Sequence, residues 1–157
     1  MPRSGDPLGS FRPLAPSFMR LMAGTIVLYI LETIVLGFQG LSQTLPSSSI
    51  TISNLIISLI GFVASIIVFR YGTELSNAAG DAYDSFKNFQ ELLTWVFQIA
   101  ALYILYTTSR ALVAASGVFR GLPWAYPMIF AIVGLIPTVK VVVYYIHKVE
   151  GGGQRHT

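Results

Sequence analysis

The sequence is poor in charged residues and contains no cysteine. Its 157 residues include 10 Lys and Arg and 7 Asp and Glu, so charged residues make up 11% of the chain. Soluble domains carry about 25%. So few charges cannot cover a water-facing surface of this size, which argues against a soluble enzyme or a nucleic-acid-binding module. The absence of cysteine excludes disulfides, thiolate nucleophiles and cysteine-ligated zinc or iron–sulfur centres.

Histidine and the motifs of known catalytic chemistry are equally scarce. The two histidines are His147, at the end of an apolar segment, and His156, near the C-terminus, so facing histidine ligands for haem are missing. The sequence has no glycine-rich phosphate loop, nucleophile elbow or HExxH motif, and no carboxylate–histidine cluster suited to a metal. We therefore expect no cofactor, no metal and no catalytic residues, and we expect that the protein is not an enzyme.

Hydrophobic residues, by contrast, make up 54% of the chain and are concentrated in four segments. Each segment supplies the roughly 20 residues that a helix needs to cross the ~30 Å hydrocarbon core of a bilayer. In lipid every backbone amide must find a partner within its own segment, so each segment is expected to be helical. The predicted spans cover residues 18–41, 50–69, 92–116 and 124–146.

These spans predict an all-α fold, an integral membrane bundle of four transmembrane helices within residues 18–149. The connections between the first two helices and between the last two are short, so we expect two antiparallel hairpins. The longer connector, residues 70–91, has apolar residues at near-helical spacing. We expect it to extend the second and third helices and to break near Gly80 and Asp81.

The distribution of cations predicts the orientation in the membrane. Cytoplasmic segments carry an excess of Lys and Arg, and one orientation leaves a single cation, Arg120, on the outer side. We therefore expect both the N- and C-termini in the cytoplasm and a multi-pass protein of the cell membrane. Flexible tails are expected over residues 1–17 and 150–157, which are rich in helix-breaking residues. The cations on the inner side are Arg3, Arg12, Arg20, Arg70, Lys87, Lys148 and Arg155.

Ionisable residues inside the spans are the strongest candidates for function. A charged group at a helix centre costs ~2.5–3.5 kcal/mol on insertion, so such groups normally face other helices or a wet cavity. Glu32 and Arg110 lie in the outer halves of the first and third helices, which predicts an ion pair between them, with Tyr106 on the same stripe as Arg110. Two alternatives stay open. Arg110 extends outward and leaves Glu32 protonated, or Glu32 takes part in a proton or ion relay.

Lys140 lies in the inner half of the fourth helix, three residues after Pro137. Proline removes a backbone hydrogen bond, so a helix kink is predicted there. Gln98 of the third helix lies at a comparable depth and is a candidate partner for Lys140. In the alternatives, Lys140 extends toward cytoplasmic phosphate groups or lines a polar cavity open to the cytoplasm.

The second helix carries small and weakly polar residues on one face. Asn54, Ser58, Gly61 and Ser65 recur at intervals of four, three and four residues. Small residues at such spacing allow two membrane helices to approach closely. We therefore predict a helix-packing seam, with a pore-lining face as the alternative.

Polar or small residues form a stripe on every helix, whereas one bundle of this size has little interior to enclose four stripes. We therefore predict a small, non-enzymatic structural or accessory component of a homo- or hetero-oligomeric membrane assembly. Its expected partners are the lipid bilayer and other membrane subunits or a second copy, with no nucleic acid. The alternative is a small proton- or ion-coupled transporter with Glu32 as the titrating group.

The transporter alternative draws on a resemblance. With four helices and one acid, Glu32, in the first of them, the chain resembles the small multidrug-resistance transporters. That resemblance implies a carboxylate that alternates between protons and cationic substrates. The chain departs from that family in its greater length, its large connector and the cations in its third and fourth helices.

Overall fold

The structure, a computed structural model, describes residues 14–46 and 48–152, and these residues are almost entirely helical. Four of the helices are long and apolar enough to cross a membrane, namely α1, α2, α4 and α5. This confirms the predicted all-α fold with four candidate membrane helices. The elements are α1 (Ala15–Gly37), a 3-10 turn (Gln39–Ser42), α2 (Ile52–Ala82), α3 (Asp84–Lys87), α4 (Gln90–Ser116) and α5 (Ala125–Gly152).

The helix bounds differ from the spans that hydropathy predicted: α1 ends at Gly37 rather than at residue 41, and α2 continues to Ala82 rather than ending at residue 69. α1 begins at Ala15 and α5 continues to Gly152, so both helices include residues expected in the tails. The remaining tail residues lie outside the described part of the chain. α2 has 31 residues, which gives roughly 46 Å at ~1.5 Å per residue and exceeds the ~30 Å hydrocarbon core.

The break between α2 and α4 comes later than predicted. α2 passes through Gly80 and Asp81 without interruption and ends at Ala82, and Tyr83 is extended with φ −133° and ψ 116°. Gly80 stays helical because it is buried in a close contact, in which an added Cβ would lie 2.7 Å from Cδ of Gln90. Packing against α4 thus offsets the low helix propensity of glycine.

The four long helices stand in a row in the order α1, α2, α4, α5. The most extensive interface joins α2 to α4, while α1 packs on α2 and α5 packs on α4. α1 and α5 lie at opposite ends of the row and share no packed interface within the described residues. Few side chains are therefore enclosed, and most of the large apolar ones are exposed, as expected where lipid rather than water surrounds the helices.

Small residues bring α2 and α4 together. A Cβ added to Gly61 would overlap the side chain of Thr108, and one added to Gly72 would lie 2.7 Å from Cβ of Phe97. Residue numbers at these contacts increase along α2 as they decrease along α4, so α2 and α4 are antiparallel. Dispersion contacts at this short range provide much of the association energy of membrane helices.

Hydrogen bonds fix the register at one end of this interface. The fully buried hydroxyl of Ser76 donates to the backbone carbonyl of Gln90 at 2.7 Å and accepts from Thr94 Oγ1 at 2.8 Å. The Gln90 side chain donates in turn to Asn77 Oδ1 at 2.9 Å. Each polar side chain in this cluster therefore has a partner on the facing segment, which excludes a shifted register.

α1 is held by apolar contacts. Its closest approach to α2 is at Gly24, where an added Cβ would lie 3.1 Å from Cγ2 of Ile67. The hydroxyl groups of Thr25 and Thr33 donate to carbonyl groups four residues earlier in α1 itself. Van der Waals packing is thus the main attraction between α1 and α2, apart from their backbone connection.

Substitution of the seam glycines tests this packing. Gly61→Ala or Gly72→Ala forces a Cβ into Thr108 or Phe97, and overpacking of this kind costs about 1–3 kcal/mol. We expect a lower midpoint of thermal unfolding in detergent for both variants. Gly37→Ala is the matched control because nothing lies within 4 Å of its added Cβ. Equal midpoints for all three variants would show that α2 and α4 do not approach this closely.

Outside the long helices, α3 supports a prediction about pKa. Lys87 Nζ donates to Asp84 Oδ1 at 2.7 Å, and this hydrogen bond and the opposite charge lower the pKa of Asp84 and raise the pKa of Lys87. The pair stabilises α3 above the ordinary carboxyl pKa of 3.8 and is lost as the pH falls through the lowered value. At alkaline pH it is lost as the pH rises through the raised pKa of Lys87.

We expect Lys87→Met to return the pKa of Asp84 to about its ordinary value, measured by carboxyl ¹³C NMR during an acid titration. Lys148→Met removes the same charge from the end of α5 and serves as the control. It is expected to leave the Asp84 titration unchanged. An unaltered titration in the Lys87 variant would mean that the two side chains are not paired.

Candidate functional site

Glu32 lies on the side of α1 that faces α2. The less exposed positions of α1, Leu21, Gly24, Leu28, Glu32 and Val35, recur every three or four residues and form the face that packs on α2. The Glu32 side chain is half-buried at this interface. It forms no ion pair and no hydrogen bond with another residue of the described ranges. An acid within a candidate membrane helix is thus left without a polar partner among the described residues.

The ion pair predicted between Glu32 and Arg110 is not formed. The ion pairs within residues 14–46 and 48–152 join Arg70 to Glu74, Lys87 to Asp84 and Lys140 to Glu91. The physical reason is the row of helices, because α2 stands between α1 and α4. Arg110 instead lines a cavity with the residues that follow the end of α4. This placement agrees with the alternative in which Arg110 extends toward the end of the helix.

Tyr106 belongs to an aromatic cluster between α4 and α5. Its ring stacks on Tyr126 with centroids 5.2 Å apart, and Phe130 meets both rings edge-on at 5.4 and 5.1 Å. The Tyr126 hydroxyl donates to the backbone carbonyl of Tyr106 at 2.8 Å and lies 2.6 Å from Ser109 Oγ. The cluster therefore joins the end of α4 to the start of α5 through both apolar and polar contacts.

Two arginines share the cavity next to this cluster. The Arg110 cavity, about 310 Å³ in volume, lies between the end of α4, the following turn and the start of α5, and is lined by Arg110, Arg120, Tyr106 and Tyr126 among others. Gly117 ends α4 with φ +71°, a left-handed conformation that favours glycine, and its carbonyl accepts from the Arg120 amide at 3.1 Å. This turn brings Arg120 back toward Arg110. The lining includes no acidic residue.

An apolar groove continues from the Arg110 cavity along α4 and α5. This α4–α5 groove has a volume of about 370 Å³ and shares Tyr106 and Pro127 with the cavity. Its far end is lined by Thr138, whose hydroxyl donates to the Gly134 carbonyl at 2.8 Å and accepts from the indole N–H of Trp95 at 3.0 Å. The groove therefore leads from the cationic cavity along a mostly apolar stretch that ends at Thr138.

Lys140 and Gln98 line a third cavity, of about 440 Å³, between α2, α4 and α5. The hydrogen bond predicted between them is not formed. Lys140 Nζ lies 4.0 Å from Glu91 Oε2 instead, two turns from Gln98 along α4. Arg70, which also lines the cavity, has its Nε 3.3 Å from Glu74 Oε1. The cations around this cavity are therefore compensated by carboxylates.

Pro137 also lines the third cavity, and α5 is continuous through it. As a proline it cannot donate to the carbonyl of Val133, which loses its usual helical partner. The next residue, Thr138, anchors this part of α5 to α4 through Trp95. The predicted kink stays a prediction.

The predicted seam residues of α2 occupy different parts of its interface with α4. Gly61 is buried against Thr108, whereas Ser58 and Ser65 each line a cavity beside α4, and Asn54 is half-buried in the first turn. The seam continues into the segment predicted as a connector. There Gly72, Ser76 and Gly80 repeat the spacing of small residues, a signal already present in the sequence.

Thr138→Val tests the link between α4 and α5. The substitution keeps the shape of the side chain but removes the acceptor of the Trp95 indole, so we expect a loss of about 1 kcal/mol, seen as a lower thermal midpoint in detergent. Thr107→Val is the control because the Thr107 hydroxyl donates only to carbonyls of its own helix. Equal midpoints would show that the Trp95 bond does not stabilise the α4–α5 pair.

No protein-family model, curated protein or solved structure matches the chain. The resemblance to small multidrug-resistance transporters therefore rests on the four helices and Glu32. Glu32 does not line the Arg110 cavity, the α4–α5 groove, the third cavity or the cavity beside Ser58.

Proposed function

We propose that the protein is a small, non-enzymatic component of a membrane assembly and that α1 supplies the surface that contacts another subunit or a second copy. The four long apolar helices support a place in the bilayer. In the arrangement that we propose, α1 with α2 and α4 with α5 form two hairpins, and both termini face the cytoplasm. The excess of cations on that side supports this orientation.

The observation that carries the proposal is that the carboxyl group of Glu32 has no polar partner among residues 14–46 and 48–152. A polar group in hydrocarbon is costly and normally faces another helix that offers it a hydrogen bond. α1 is at the end of the row, and α2, its only packed helical neighbour among the described long helices, offers no partner. A donor from a further helix is the simplest way to remove this cost.

The surface of α1 supports the same conclusion. The helix has one packed side and leaves large apolar side chains open on the other, with Tyr29 70% exposed. Because its contacts with α2 are apolar, α1 can adjust its position when a further helix packs beside it without breaking interhelical hydrogen bonds. An end helix with a polar group and a free face is suited to assembly.

The second candidate, a proton- or ion-coupled transporter, requires a path for water or ions to Glu32. The Arg110 cavity, the α4–α5 groove and the third cavity are lined by residues of α2, α4, α5 and the turn between α4 and α5, and Glu32 is not among them. We therefore favour a role for Glu32 in assembly over a role as a titrating group in transport.

Mutation of Glu32 tests the proposal. We expect the wild-type protein, purified in a mild detergent or in nanodiscs, to have the mass of an oligomer or of a complex with a co-purifying membrane protein. Glu32→Leu removes the polar contact and is expected to release at least half of the protein as a monomer. Glu32→Gln, which still forms hydrogen bonds, is expected to have a smaller effect. Native mass spectrometry measures all three.

The matched control is Glu74→Gln, which removes one carboxylate that is paired with Arg70 within the chain. It is expected to leave the mass distribution unchanged. A monomeric wild-type protein without a co-purifying partner would contradict the proposal. A Glu32→Gln variant that keeps its mass but loses a pH-dependent flux would support the transporter instead.

A further inference from the structure

The Arg110 cavity combines two positive charges with no carboxylate. Arg110 and Arg120 form no ion pair with another residue of the described ranges, and no Asp or Glu lines the cavity. Two guanidinium groups that converge on one space repel each other unless an anion lies between them. Planar guanidinium groups suit oxyanions particularly well because each can donate two parallel hydrogen bonds.

The neighbouring polar groups do not neutralise this charge. The Tyr126 hydroxyl is already engaged with the Tyr106 carbonyl and with Ser109. The end of α4 contributes a partial charge of about −0.5 through its free carbonyl groups, which offsets only a fraction of two full positive charges. The cavity therefore keeps a net positive charge that an external anion would balance.

The α4–α5 groove indicates what kind of anion fits. It begins at Tyr106 and Pro127, which it shares with the Arg110 cavity, and follows α5 as far as Thr138. The 11 steps along α5 from Pro127 to Thr138 correspond to about 16 Å at ~1.5 Å per residue. Between its two ends the groove is mostly apolar, with side chains such as Leu102 and Leu135. A free phosphate ion would bind in the cavity and leave this groove unused.

The cavity also lies at a suitable depth. Arg110 is six residues before the end of α4, and Arg120 lies in the turn between α4 and α5. If these helices cross a bilayer, the cavity faces the headgroup layer and the groove extends into the hydrocarbon. Long cationic side chains near helix ends reach that layer while their stems stay in apolar surroundings.

We propose that the Arg110 cavity and the α4–α5 groove together bind one anionic phospholipid. The phosphate lies between the guanidinium groups of Arg110 and Arg120, and an acyl chain lies in the groove. This site uses the opposite end of the helix row from Glu32, so it does not rest on the proposed role in assembly.

Native mass spectrometry of the full-length, delipidated protein in detergent tests this inference. The probes are phosphatidylglycerol and phosphatidylcholine with identical acyl chains, and inorganic phosphate. We expect phosphatidylglycerol to bind about tenfold more tightly than phosphatidylcholine, because charge-assisted hydrogen bonds to a net anion are among the strongest in proteins. Arg110→Gln combined with Arg120→Gln is expected to remove this preference. Arg70→Gln, which removes one cation from the third cavity, is expected to retain it.

A second variant tests the binding of the acyl chain separately from the binding of the headgroup. Gly134 lines the groove, and an added Cβ there meets only the side-chain ends of Ile99 and Leu102 at 3.8 and 4.0 Å. Gly134→Leu is expected to fill the groove and weaken the binding of phosphatidylglycerol while both arginines remain in place. Measurement on this variant does not depend on the folding of the double arginine variant.

Three outcomes would overturn the inference. In the first, the wild-type protein binds the two lipids equally well. In the second, inorganic phosphate binds as tightly as phosphatidylglycerol, and the site is then one for a free anion. In the third, Gly134→Leu has no effect on lipid binding, which would exclude the acyl chain from the groove.

Discussion

The close approach of α2 and α4 is the constraint on which the rest of the structure depends. Without a hydrophobic driving force between helices in lipid, association relies on contact area at short range, and glycine and serine provide it. Gly61 and Gly72 admit the side chains of Thr108 and Phe97 into the surface of α2. At one end, the buried bond between Ser76 and Thr94 selects the register. α1 and α5 pack on this central pair, α1 against α2 and α5 against α4.

The two outer helices are attached by different kinds of contact. α5 is joined to α4 by hydrogen bonds from Trp95 and Tyr126 and by an ion pair between Lys140 and Glu91. These polar contacts fix the position of α5 against α4, and α5 lines the cavities described above. α1 meets α2 through apolar contacts such as that between Gly24 and Ile67, and its acid, Glu32, has no polar partner in the described part of the chain. On the α1 side, large apolar side chains such as Tyr29 and Val27 stay exposed.

Hydropathy sufficed to predict the helices, because the cost of unpaired amides in lipid decides the secondary structure of each apolar segment. It could not predict which helices meet. Glu32 and Arg110 lie at similar depths in their helices, which predicts that they pair. Depth alone does not distinguish a closed bundle, in which α1 and α4 can meet, from a row in which α2 separates α1 from α4. The same limitation explains why similar depth predicts Gln98 as the partner of Lys140, although Glu91, two turns away along α4, is the residue that Lys140 reaches. The arginine cavity was missed because Arg120 belongs to a turn, and its return toward Arg110 depends on the backbone of Gly117.

The position of α1 also has a mechanical consequence. In a closed bundle, displacement of one helix disturbs all the others, whereas here α1 packs on α2 alone among the described long helices. A molecule that docks at the first helix can shift it without distorting the space between the last two. Any communication between these two ends must travel through the central antiparallel pair, whose glycine contacts leave it little freedom to slide.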